Sequence, residues 1–163
     1  MLQQEQWLPR NNLAATLVEF MLAITLLAII SINIVPRFFQ SMMFKQQVFL
    51  QQVINSLAYI QSVAMGSGCH VGVSISPNII TFNLRQNCIA GAFNQSIFDP
   101  NNTSNVFSII VPSNILISSI NFPIYFDDNG LSHLVSTGAV IDAIININGY
   151  SINVIGNTGL ISR

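Results

Sequence analysis

Residues 13–35 read LAATLVEFMLAITLLAIISINIV, apolar almost throughout and carrying a single ionisable side chain, Glu19. A helix needs about 20 apolar residues to cross a ~30 Å hydrocarbon core, so a run of this length is expected to span a membrane. A carboxylate inside such a run costs ~2.5–3.5 kcal/mol on insertion scales and usually has a task. An anchor alone does not need that glutamate. A segment that recognises a neighbour's positive charge inside the membrane does.

The remaining chain is long enough for one domain with a core of its own. Hydrophobic residues make up 51% of the 163 and charged residues only 7%, against ~25% charged in ordinary soluble domains. No Asp, Glu, Lys or Arg lies between Lys45 and Arg85, so the surface there must be polar through Ser, Asn, Gln and Thr, or be covered by partners. A net charge of −1 gives no basic field, and no nucleic-acid partner is expected. Cys69 and Cys88 lie outside the apolar run. In an exported domain they can pair, and in the cytosol they would stay reduced. A disulfide is the expectation, stabilising by ~3 kcal/mol in the chain-entropy model. Cys69 beside His70 lacks four-ligand spacing, so no metal is expected.

A cleaved secretory signal would need an apolar region of ~7–15 residues and a small-residue cleavage site beyond it. Here the run is longer and ends in Val35-Pro36-Arg37-Phe38, a poor site, while the leader MLQQEQWLPRNNLA sets Arg10 against Glu5 and holds the only tryptophan, Trp7. Retention of the helix is expected, with Phe38, Phe39 and Arg37 at the far membrane interface. The residues Ala14, Ala15-Thr16-Leu17-Val18-Glu19-Phe20 and Pro36 give the chain a resemblance to the type IV prepilin family, which includes pilins and type II secretion pseudopilins. In that family a prepilin peptidase cuts before the apolar helix, the glutamate is the fifth mature residue, and a helix-kinking proline is commonly the twenty-second. Setting Glu19 as fifth makes Ala15 the new N-terminus and Pro36 the twenty-second, so two landmarks agree on one register. Where the family usually has glycine before the cut, this chain has Ala14, which is also small. The resemblance further implies N-methylation of the Ala15 amine, and an assembly role for Glu19 opposite that amine on a neighbouring subunit. Burial in low dielectric strengthens such a pair and penalises a missing partner.

Beyond Pro36, where a bend is expected, Phe39, Met43, Leu50, Val53, Leu57, Ile60 and Ala64 recur at steps of three, four or seven. They trace one helical stripe that should pack on the following domain, interrupted once by Gln46. Gly66-Ser67-Gly68 should end the helix. Val71, Val73 and Ile75 alternate, Ser76-Pro77-Asn78 turns, and Ile80, Phe82 and Leu84 alternate again. Residues 106–111, 115–120 and 123–126 are further β-rich runs, and Asp128-Asn129-Gly130 is a turn signal. Residues 145–147 and 150–154 flank Asn148-Gly149, whose left-handed tolerance suits a two-residue hairpin. The stretch 90–105 lacks periodicity and reads as a loop. The head motifs Ala64-Met65-Gly66-Ser67-Gly68-Cys69-His70-Val71, Phe126-Asp127-Asp128-Asn129-Gly130 and Thr158-Gly159 resemble minor pilins of the mannose-sensitive haemagglutinin class and the group containing pseudopilin H and FimT-like minor pilins.

No Gly-x-Ser-x-Gly elbow, His-Glu-x-x-His motif or phosphate loop is present. Asp127 and Asp128 lack EF-hand spacing and read as turn residues; His70 reads as a strand entrance beside a cystine, and His133 as exposed. No enzyme activity and no cofactor are expected. The expected fold is α+β: a long N-terminal helix, transmembrane in one half and amphipathic in the other, packed on a mainly antiparallel β-sheet head. The expected organisation is a leader over 1–14, a transmembrane and assembly helix over 15–36, and the amphipathic helix with its β-rich head over 37–163. By resemblance the function is that of a minor pilin or pseudopilin, with prepilin peptidase, other pilin or pseudopilin subunits and an inner-membrane assembly platform as partners. The head would be periplasmic, and the subunit would pass from the bacterial inner membrane to a pilus or pseudopilus. The competing expectation is a membrane-anchored periplasmic binding domain that does not assemble. A hydrolase, the third, requires His133, Asp127 and a serine to cluster in a pocket.

Overall fold

The computed structural model describes residues 17–39, 42–100 and 102–163, with side chains over 17–30, 43–100 and 104–163. The chain divides into two compact units, Met1–Phe44 and Lys45–Arg163.

Helix α1 covers Leu17–Phe39 and carries Glu19 in its first turn. Its side chains from 17 to 30 are exposed, Leu17, Phe20 and Leu27 by more than 60% each. A helix apolar all round is one whose surroundings must be apolar. Among the described residues no helix is long and apolar enough to cross a membrane. The spanning expectation rests also on residues 13–16 and on the side chains of 31–35, which lie outside the described residues, as do the leader over 1–14 and Ala15. Pro36 lies inside α1, near its end.

Helix α2, Met42–Ser67, is held by one apolar stripe. Leu50, Val53, Leu57, Ile60 and Ala64 are buried at the expected steps, and Phe49 joins them. Met43, expected in the stripe, is instead exposed. The helix stops where the glycines require: Gly68 has φ +66 and donates its N–H to the Ala64 carbonyl at 3.0 Å, a left-handed cap that a Cβ would resist.

Among the described residues twelve strands follow: β1 (Val71–Ser76), β2 (Ile79–Asn87), β3 (Ala90–Ser96), β4 (Phe98–Asp99), β5 (Asn102–Val106), β6 (Ser108–Ile110), β7 (Ile117–Ile120), β8 (Ile124–Phe126), β9 (Ser132–Leu134), β10 (Ala143–Ile147), β11 (Tyr150–Val154) and β12 (Ile161–Ser162). Every pairing is antiparallel. One sheet has the order β3-β2-β1-β8-β9, with β6 also paired to β2; a second has the order β12-β11-β10-β7; β4 and β5 form a separate hairpin. The α+β architecture with an antiparallel head is therefore present.

Alternation explains most of it. In β10, Ala143, Ile145 and Ile147 are buried while their neighbours are half-buried, and β11 adds Ile152 and Val154. Asn148 and Gly149 connect them at φ 47 and 88 between the paired residues Ile147 and Tyr150, the two-residue turn that matches strand twist. The stretch 90–105 is not a loop: it supplies β3, β4 and most of β5. Its pattern is silent because β3 is an outer strand exposed at every position but the half-buried Phe93. The backbone ladder, not side-chain burial, makes it a strand. The runs at 106–111 and 115–120 are shorter than expected, with Phe107 separating β5 from β6 and donating its N–H to Ile97.

Side chains of α2 and of both large sheets form one core, including Leu57, Ile60, Val73, Phe82, Phe126, Ile145 and Ile152. Polar clamps close its rim. Gln61 on α2 donates through Nε2 to the Gly130 carbonyl at 2.9 Å and the Thr158 carbonyl at 3.3 Å. Gly159, at φ +62, lies so close that a Cβ there would overlap both the Gly130 oxygen and Gln61 Nε2. We expect Gly159→Ala to combine backbone strain with loss of this clamp and to cost about 2–4 kcal/mol. Urea unfolding with the disulfide intact measures it; an unchanged midpoint would refute the clamp.

Candidate functional site

The outward face of the six-stranded sheet gathers both histidines with Arg85, Phe93 and Tyr125, and Asp127 stands beside them. Its scaffold is set by strand register. In the β1–β2 hairpin Val71 pairs with Leu84, which brings His70 against Arg85; the Arg85 N–H bonds the His70 carbonyl at 3.0 Å, and the His70 N–H bonds the Cys88 carbonyl at 2.8 Å. The Cys69–Cys88 disulfide closes this end of the hairpin, as expected from the two cysteines. In the β8–β9 hairpin Tyr125 pairs with His133. Gly72 of β1 pairs with Tyr125 and must be small, since a Cβ there would approach the Phe93 ring to 2.7 Å.

Four rings and one guanidinium fill this face. His70 and His133 stack on Tyr125, each with a centroid separation of 5.0 Å. Phe93 lies 5.5 Å from Tyr125. The Arg85 guanidinium covers both Phe93 and Tyr125, at 4.8 and 4.9 Å, positions in which a cation is attracted by ring quadrupoles.

Asp127 organises the turn beyond. One carboxylate oxygen accepts the Asn129 N–H at 3.0 Å and the Leu131 N–H at 2.8 Å. The other meets His133 Nε2 at 2.9 Å, with the two side chains 12% and 14% exposed. Burial pushes the Asp127 carboxyl up, but the Leu131 N–H, the His133 ring and the Asn129 N–H outweigh it and hold the group below its ordinary value. His133 Nδ1 meets the Gly138 carbonyl at 2.9 Å. His133 is therefore half-buried and paired, not exposed, and Asp127 is more than a turn residue.

The structure thus brings together His133 and Asp127, two of the groups a hydrolase would require, but it does not supply a hydrolytic triad. Both His133 nitrogens are engaged, with Asp127 and Gly138, leaving neither for a serine hydroxyl. Ser132 follows strand alternation to the other side, fully buried, and its Oγ makes no hydrogen bond. An open groove of about 630 Å³ lies elsewhere, between α2 and the β4–β5 region, with Val48, Gln51, Tyr59, Pro100 and Phe107 among its lining and no charged side chain there. Among the described residues no group of three or more His, Cys, Asp or Glu could hold a metal ion. Glu19 is exposed in α1, while Ala14 and Ala15 lie outside the described residues. The His70–Arg85 and Phe93–Tyr125 contacts were not expected, although the turn at Pro77-Asn78 already implies the register that opposes residues 70 and 85.

The fold has a known counterpart. The chain is similar to the minor pseudopilin EpsH from the type 2 secretion system of Vibrio cholerae, with a TM-score of 0.50 and 14% identity over 71% of this chain and 93% of that one. At this identity the likeness is one of fold. No protein-family model and no curated protein matches the chain.

The lowered Asp127 carboxyl has a defined sign. A carboxylate whose folded pKa is depressed contributes stability that is complete above its unfolded value, near 4, and is lost as pH falls through the folded one. We expect stability to decline below about pH 4 through this group, and Asp127→Asn to remove that part of the decline. At neutral pH the substitution should cost roughly 1–3 kcal/mol, because it leaves His133 without its acceptor. Urea midpoints across the acid range measure both; superimposable profiles for the two proteins would refute the assignment.

Proposed function

We propose that this chain is a structural subunit of a pilin-type filament, most similar to the minor pilins and pseudopilins, and that it is not an enzyme. The observation that carries this reading is the shared fold: an antiparallel head built on a helix, matching a minor pseudopilin over most of both chains. Support also comes from α1, whose apolar side chains are exposed and which bears Glu19 in its first turn. A helix of this kind fits a subunit that waits in the lipid bilayer and then bundles with others of its kind.

On this reading prepilin peptidase cuts between Ala14 and Ala15 on the cytoplasmic side and methylates the new amine. The head is periplasmic and the helix rests in the bacterial inner membrane until the assembly platform extracts it. Glu19 then pairs with the Ala15 amine of a neighbouring subunit. In a medium of low dielectric, a carboxylate without its cation is penalised more than in water, so Glu19 selects axial register rather than adding bulk attraction.

Intact mass and N-terminal sequence of the membrane-extracted protein, with and without prepilin peptidase, test this reading. The expected product begins at Ala15 and is one methyl heavier; a chain that keeps residues 1–14 under both conditions overturns processing. Glu19→Ala should leave membrane insertion intact and reduce incorporation into filaments at least about tenfold, the equivalent of ~1.4 kcal/mol. Undiminished incorporation would remove Glu19 from assembly.

A further inference from the structure

The two histidines that sandwich Tyr125 hold opposite hydrogen-bonding roles. A guanidinium can only donate, so the His70 Nδ1 that lies 3.2 Å from Arg85 Nη1 must present a lone pair. His70 is therefore a neutral ring with its proton on Nε2. A carbonyl and a carboxylate can only accept, so His133 makes its bonds to Gly138 and Asp127 together only as the doubly protonated ring. One ring serves as an acceptor, the other as a double donor.

We propose that His70 is an acid-sensitive latch on the outer strand of the six-stranded sheet: its neutral Nδ1 holds Arg85 across Phe93 and Tyr125, and protonation of that nitrogen releases β3. Protonation converts the acceptor into a donor and sets an imidazolium against a guanidinium 3.2 Å away. Apart from the Phe93 and Tyr125 rings beneath it, Arg85 has few polar partners. Its Nε is buried and makes no hydrogen bond, and Nη1 otherwise reaches only the Ile89 carbonyl, at 2.6 Å, in the turn that leads into β3.

The groups facing His70 come from three sides. Arg85 lies on β2, Tyr125 on β8 and His133 on β9, while Asp127 and Asp128 stand in the β8–β9 turn. Burial lowers the His70 pKa most and Arg85 lowers it further; the two aspartates oppose this and His133 adds to it, with the balance below the ordinary imidazole value. The sign follows. A histidine with a depressed folded pKa contributes stability that is complete above about 6.5 and lost as pH falls through the folded value. The latch is closed at neutral pH and opens on acidification.

The part released is local. The disulfide ties Cys88 to Cys69, and residues 79–84 of β2 stay paired with β1. β3 is the weaker partner: it is an outer strand, its register with β2 breaks on either side of Arg85, and only Phe93 among its side chains is half-buried. Strands of this kind open below the global unfolding free energy. Lifting β3 withdraws Phe93 from above Gly72 and leaves residues 83–87 of β2 as an unpaired edge, able to accept another strand.

Hydrogen exchange on the oxidised full chain in detergent micelles tests the latch, read as protection factors so that intrinsic pH dependence is removed. Between about pH 7.5 and about pH 5, protection over 90–96 should fall at least about tenfold in the native chain. In His70→Gln, whose amide oxygen accepts from Arg85 at either pH, it should stay within about twofold, and His133→Gln should retain the fall. An equal fall in His70→Gln, or none in the native chain, overturns the proposal. Should His70→Gln fail to fold, NMR of the native chain decides: Phe93 ring signals moving with the midpoint of the His70 Cε1 proton support the latch, and a different midpoint or no movement refutes it.

Discussion

The burial of one face of α2 is the constraint on which the head depends. Leu50, Val53, Leu57, Ile60 and Ala64 reach 2% exposure or less, and residues from both large sheets meet them in one core. Neither sheet closes a core by itself, because each is apolar on one face and needs something laid across it. The helix supplies that surface, and its stripe fixes which residues of β1, β2, β8, β10 and β11 must point inward. Inward residues set strand register, since a slip by one residue would turn every buried side chain toward water. The aromatic face on the other side of the six-stranded sheet inherits its geometry from that register.

With so few charges, the head is fastened by neutral groups. In the head, an ion pair joins His133 to Asp127. Elsewhere amide side chains and lone carboxylates tie turns to their surroundings. Gln61 bridges α2 to two turns, Asn148 accepts the Leu116 N–H at 2.8 Å, Asn121 donates to the Asp142 carbonyl, and Asp142 accepts the Gly156 N–H at 2.7 Å. The bonds of Gln61 to Gly130 and of Asp142 to Gly156 are part-buried, where an unmade bond costs ~1–3 kcal/mol. Exposed ion pairs would have contributed little in comparison. Within the uncharged stretch 46–84, Gln61 thus has structural work as well as a solvating role.

What the sequence revealed follows the same physics. The α2 stripe, its glycine stop, the β1–β2 hairpin and the Asn148-Gly149 turn were legible because burial or backbone geometry restricts those residues. The β3–β5 region was not, since an outer strand with polar side chains on both faces carries no period. Met43 had the right spacing for the stripe and still lies exposed, a reminder that spacing alone does not say where a buried face begins. His133 and Asp127 were legible only jointly with the hairpin: once Asp127 caps the turn, residue 133 returns opposite Tyr125 and close to the carboxylate. Glu19 and Pro36 stand differently, because their meaning came from a family register and not from packing.

The chain's hydrophobic content falls into two parts with different fates. From Phe49 onward apolar side chains close a core of their own. Along α1, Leu17 through Ile30 leave apolar surface exposed on every side, and such surface in water would drive aggregation. Lipid tails or the matching helices of other subunits are the two media that could cover it, and moving between them changes little in hydrophobic free energy. Choice between the two must therefore come from something other than apolar contact. In the filament we propose, a single carboxylate in the first turn, expensive in lipid and met by a neighbour's amine, would be a sufficient discriminator. That energetic asymmetry, more than the length of the apolar run, is why we propose assembly for this helix and not simple anchorage.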